Sequence, residues 1–76
     1  MTTLSELQID VRARIAEIQA DPHVLSRLHA VGIVVGSSVQ RTRESAVGSP
    51  VFISTQHECA FALGYDLASK IFIITE

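Results

Sequence analysis

Val11, Ala13 and Ile15 alternate with Arg12, Arg14 and Ala16, and this period of two predicts a half-buried strand. The alternation breaks at Ile18, which falls on the face opposite Ile15. A β-bulge near Ala16 or Glu17 returns Ile18 to the core side. Ahead of this strand, Leu4 and Leu7 stand three apart and predict a turn that packs both side chains on the core. After it, Asp21-Pro22 combines a favoured N-cap with a proline at the first helical position. Val24, Leu25, Leu28 and Val31 then fall on one helical face, and Gly32 stands where a left-handed residue ends a helix, so the spacing predicts a helix over residues 22–31.

The second half reads as strands. Ser38 to Glu44 is a polar stretch rich in Thr and Arg, Val51 to His57 alternates, and the turn residues between them predict an antiparallel hairpin. Cys59, Phe61 and Leu63 alternate with Ala60 and Ala62 in a short strand that Gly64 ends. Residues 66–70 suit one helical turn, with Leu67 and Ala68 facing in. Ile71-Phe72-Ile73-Ile74 is apolar throughout and reads as a strand covered on both faces, whose edge is also a place for weak self-association. Five short strands, one helix after the first strand and a helical turn before the last make a mainly β fold. The expected architecture is a small five-stranded SH3-like barrel spanning residues 1–76 as a single domain. An OB-type barrel usually places its helix later, between the third and fourth strands, so the SH3-like order fits better.

Composition narrows the function classes. The 76 residues are 47% hydrophobic, enough to build a core, but a domain of this size holds only about 3–5 kcal/mol of core stability. A net charge of −2 and 5% aromatic residues argue against a nucleic-acid binder, which needs a basic patch or a stacking platform. The single cysteine excludes an internal disulfide and a Cys-rich zinc site. Met1-Thr2-Thr3 runs into Glu6 and Asp10 with neither a basic segment nor a long apolar run, so the expectation is a cytoplasmic protein that is not membrane-embedded.

Candidate chemistry is sparse. His57 and Cys59 stand two apart on one strand face, at about 6–7 Å, and are minor candidates for a transition metal if a third ligand comes from elsewhere. The plainer reading makes Cys59 a small core residue and His57 a solvated strand end. His23 and His29 lie six apart on the helix, about 240° in direction, and do not chelate one ion together. Arg12 and Arg14 share a face of the first strand, and Arg41 and Arg43 share a face of the second. Both pairs read mainly as solvated barrel surface, or as a small docking surface for an acidic partner. The chain has no phosphate-binding G-x-x-x-x-G-K-[ST] run and no nucleophile–base arrangement, so no catalytic residue is assigned and an enzyme is not expected.

The ordered elements resemble a known family. Leu4, Leu7, Val11, Ala13, Ile15 and Ile18 are similar to the opening segment of FeoA, the small cytosolic component of bacterial ferrous iron transport. Arg27-Leu28 through Gly32 and Gly36 resembles its helix end, Arg43 through Val51 its hairpin loop, and Ala62-Leu63 with Ala68 to Ile73 its final segment. The likeness covers residues 4–74 and extends to the C-terminal SH3-like domain of iron- and manganese-dependent repressors. Ala46 stands where the family loop usually has Pro, Ser49 where it has Asp, and Gly64 where an Arg follows the leucine. The resemblance implies a non-enzymatic accessory protein that docks on the cytoplasmic region of a FeoB-type ferrous iron transporter and modulates uptake. The partner-binding residues expected on that reading are His23 and Arg27 on the helix and the loop Ala46, Val47, Gly48, Ser49 and Pro50. No cofactor is expected beyond weak binding of Fe(II) or another divalent metal. The alternative is a transition-metal sensor or metallochaperone built on His57 and Cys59.

Overall fold

In the computed structural model, residues 2–56 and 59–76 are described. Among them the chain forms β1 (Thr2–Thr3), a 3-10 turn (Leu4–Glu6), β2 (Arg12–Ile18), α1 (Pro22–Ala30), β3 (Ser38–Arg43), β4 (Val51–Thr55), β5 (Ala60–Leu63), α2 (Tyr65–Ala68) and β6 (Ile71–Thr75). This is the expected mainly β order. A sixth strand is added because Thr2 and Thr3 pair with Ile73 and Phe72. Two residues are too few to leave a periodic trace in the sequence.

One antiparallel sheet runs in the order β1-β6-β2-β3-β4-β5. Its ladder is open, with β1 at one end and β5 at the other. Ala13, Ile15, Val39, Val51, Ile53, Leu63, Ile71 and Ile73 point to one side, where Leu4, Leu7, Leu28, Ile33 and Ala68 close the core over them. Leu4 and Leu7 are fully or almost fully buried, as their spacing predicted. β6 lies between β1 and β2, so the edge expected to be open for self-pairing is taken on both sides. Nor is that strand covered on both faces: Ile71 and Ile73 are buried, Phe72 is half-buried, and Ile74 is 59% exposed.

Two bulges set which side chains face the core. Along β2, Ile15 pairs with Ile73 and Glu17 with Phe72, leaving Ala16 as the extra residue. Ile18 thereby returns to the core side beside Ile71. Along β3, Arg41 pairs with Ile53 and Arg43 with Phe52, leaving Thr42 extra. This second bulge separates two arginines that strict alternation puts on one face. Arg43 stacks on the Phe52 ring at 4.0 Å on the outer face. Arg41 is instead buried and fastens the N-terminal segment: its Nη1 donates to the carbonyls of Ser5 (3.2 Å) and Leu7 (3.1 Å), and its Nη2 to Ser45 Oγ (2.9 Å). Arg14, on the neighbouring strand, donates to the Gly36 carbonyl and lies 3.5 Å from the Glu76 carboxylate. The reading of both pairs as solvated surface therefore fails at Arg41, which is internal, and the alternative surface of four arginines is not formed, since Arg14 is also partly neutralised.

Candidate functional site

The helix forms for the reasons its sequence gives. Asp21 Oδ1 accepts the Val24 N–H at 3.0 Å, Pro22 occupies the first helical position, and α1 ends at Ala30, within one residue of the predicted boundary. Gly32, with φ +86°, then turns the chain out of the helix in a conformation that other residues adopt only under strain.

α1 lies across the end of the core and does not fill the space beside α2. Val24, Arg27, Leu28 and Val31 line a hollow of about 320 Å³ with Leu63 of β5 and Leu67 of α2. A second hollow of about 270 Å³ continues beyond Val24 and Leu67, bounded by Gln19, Ala20, Asp21, Asp66 and Lys70. Together they form a shallow groove with an apolar floor. Arg27 stands at one end and two carboxylates with one ammonium at the other. Val31 is 38% exposed there, which an apolar residue in a finished core would not be. Such a surface suits an amphipathic peptide segment.

The expected contact residues are placed unevenly. Arg27 lines the groove. His23 is exposed at the start of α1 and lines neither hollow, and His29 is also exposed. The hairpin loop projects, with Val47 88% exposed and Ala46, Gly48 and Pro50 exposed beside it. It keeps a tight turn without the family's Pro and Asp: the Ser49 N–H donates to the Ala46 carbonyl at 2.9 Å, and Gly48 takes φ +89°. At its base, Val51 pairs with Leu63 of the groove, so the loop and the hollow share one rung of the sheet. Val24, Val31, Leu63 and Leu67 were not foreseen as site residues, because helical spacing marks an apolar face without saying whether it is wholly covered.

Of the metal pair, His57 lies outside the described residues. Cys59 is exposed just before β5, where its carbonyl accepts the Thr55 N–H at 3.0 Å. Among the described residues no three His, Cys, Asp or Glu side chains gather to hold a metal ion. No helix among them is long and apolar enough to cross a membrane. Glu6 is a carboxylate with a lowered pKa: the Thr3 backbone N–H (3.0 Å) and then the Thr3 hydroxyl (2.9 Å) donate to its Oε1 and favour the charged form.

The family model of the FeoA domain matches residues 2–75. Among solved structures, the FeoA protein of Chlorobium tepidum is similar over 97% of this chain and 70% of its own, with a TM-score of 0.85 and 26% identity. FeoA of Stenotrophomonas maltophilia, solved with zinc and described as a procaryotic SH3 domain protein, is similar over 97% of this chain and 91% of its own, with a TM-score of 0.75 and 26% identity. A manganese-dependent transcriptional repressor superposes with a TM-score of 0.87 at 18% identity, covering 99% of this chain but 36% of the repressor. That likeness is one of fold. No curated protein matches the chain in sequence.

Proposed function

The chain belongs to the FeoA domain family, a ferrous iron transport family of SH3-like fold, and on that premise we propose that it is a non-catalytic docking module of the transport system. Its partner on this reading is the cytoplasmic region of a FeoB-type transporter. The contact is the groove between α1 and α2, extended by the loop Ala46–Pro50. The observation that carries the reading is the incompletely covered apolar floor between Val31, Leu63 and Leu67, with a cation at its rim in Arg27. A peptide helix or extended segment that seats apolar side chains on this floor removes them from water at about 25 cal/mol per Å². Arg27 then selects a segment with an acidic residue at the matching end.

Binding of the full chain to the soluble part of its transporter, followed by calorimetry or fluorescence anisotropy with and without nucleotide, tests the proposal. Complex formation at tens of micromolar or tighter is expected, on the order of 6–7 kcal/mol. Val31→Asp and Arg27→Glu are each expected to weaken it by about tenfold, since the first puts a charge on the apolar floor, the second reverses the charge at the rim, and both residues are exposed. Absence of binding at that concentration, or equal binding by both variants, overturns the reading.

A further inference from the structure

We infer that β5 is an open edge through which two copies of this chain pair, in one register that the backbone fixes. The Thr55 N–H donates to the Cys59 carbonyl at 3.0 Å, which makes these opposed residues a hydrogen-bonded pair. The register then continues as Ser54 with Ala60, Ile53 with Phe61, Phe52 with Ala62 and Val51 with Leu63. Hydrogen-bonded and non-bonded pairs alternate along an antiparallel ladder. Phe61 and Leu63 therefore turn their amide groups toward β4, and Ala60 and Ala62 turn theirs away from the sheet.

β5 ends the sheet, and Ala60 and Ala62 are exposed. Natural edges are usually guarded by lysine, proline, a bulge or a covering segment. Residues 60–63 are Ala-Phe-Ala-Leu, with no charge and no proline, and their register with β4 is unbroken. The outward amides of Ala60 and Ala62 sit symmetrically about Phe61. An antiparallel copy thus sets Ala60 opposite the partner's Ala62, and Ala62 opposite the partner's Ala60, closing four N–H···O bonds. Phe61 meets its own counterpart as a non-bonded pair, the closer of the two kinds. No other antiparallel register of this strand is both symmetric and able to use all four outward groups. The strand carries no charge to repel its copy.

A stable interface buries about 1,200–2,000 Å², more than a four-residue strand supplies, so the dimer is weak and concentration-dependent. Sedimentation equilibrium from about 10 μM to 1 mM is expected to show the mass rising toward that of two chains in the upper part of the range. Ala62→Pro removes one outward N–H that the β4 ladder does not use, at an edge where proline is tolerated. It is expected to stay monomeric at 1 mM, on the order of a tenfold or greater loss of association, with an unchanged circular dichroism spectrum. Ala60→Lys serves as the second variant, placing like charges near the two-fold axis, and is expected to do the same. A parent chain that is monomeric at 1 mM, or a dimer that survives both substitutions, overturns the inference. Neither Ala60 nor Ala62 lines the groove, so these two variants leave the groove residues unchanged and the outcome is read separately from that of the transporter-binding test.

Discussion

Arg41→Met removes a buried cation and keeps most of the side-chain volume. In the parent, Nη1 serves the carbonyls of Ser5 and Leu7 and Nη2 serves Ser45 Oγ. Hydrogen bonds from a charged donor contribute about 1.5–3 kcal/mol each, so the three amount to about 5–9 kcal/mol in gross terms. Against this, the guanidinium has no carboxylate partner among the described residues, and its Nε is buried with no hydrogen-bond acceptor. Holding that charge out of water offsets several kcal/mol. A net loss of about 2–3 kcal/mol remains for the methionine variant, because the two carbonyls are left unsatisfied. For a domain of this size that is a large part of the total stability, on the order of 5 kcal/mol. Urea unfolding followed by circular dichroism reads the change as a lower midpoint at constant slope. Hydrogen exchange is expected to show the loss of protection concentrated in the segment that Arg41 holds, including the Leu7 N–H bonded to the Leu4 carbonyl. Arg41→Lys is expected to recover part of the loss, since one ammonium does not span all three acceptors. A midpoint equal to the parent's in the methionine variant refutes the reasoning: the clasp would then be paid for in full by the cost of burying it.

Two further predictions concern local devices. Asp21→Ala leaves the Val24 N–H without its side-chain acceptor and is expected to cost about 1 kcal/mol, read as a lower melting temperature with the helix retained. Glu6→Gln tests the acid limb of stability. The folded pKa of Glu6 lies below the ordinary glutamate value, so its contribution is present above the unfolded pKa and is lost as pH falls through the lower folded one. The variant is expected to show a shallower fall of stability across that acidic window; an unchanged pH profile refutes the role of the Thr3 contacts.

The sequence carried the parts of the fold where hydrophobic period and turn chemistry agree. Asp21-Pro22 located α1 to within a residue, and the broken parity after Ile15 located a bulge, because Ile18 had to reach a core that its strict alternation denied it. The bulge at Thr42 left no such trace. Its neighbours are polar, so no misplaced apolar residue betrayed the extra position, and Arg41 and Arg43 read as one surface pair. The last strand misled in the opposite way: its apolar run implied burial on both faces, yet Ile74 stands exposed. The groove was half visible. Arg27 was singled out as helix surface, but Val31 and Leu67 looked like ordinary core. The hollow between α1 and α2 depends on how the two helices are placed, and that placement is not written in either helix.

β6 is the hinge-pin of the sheet's assembly: among the described residues β1 pairs with no other strand, and β2 borrows one of its two borders from it. A nascent chain can pair β2, β3, β4 and β5 in order as each emerges, through connections that stay close in sequence. It cannot pair Thr2 and Thr3 into the sheet until residues 71–75 have also left the ribosome. Until then Ile15 and Leu4 lack the cover that Ile71 and Ile73 provide, and β2 offers a bare flank to any neighbouring strand. Trimming β6 would therefore not shave one border off the sheet; it would cast β1 loose and open the middle.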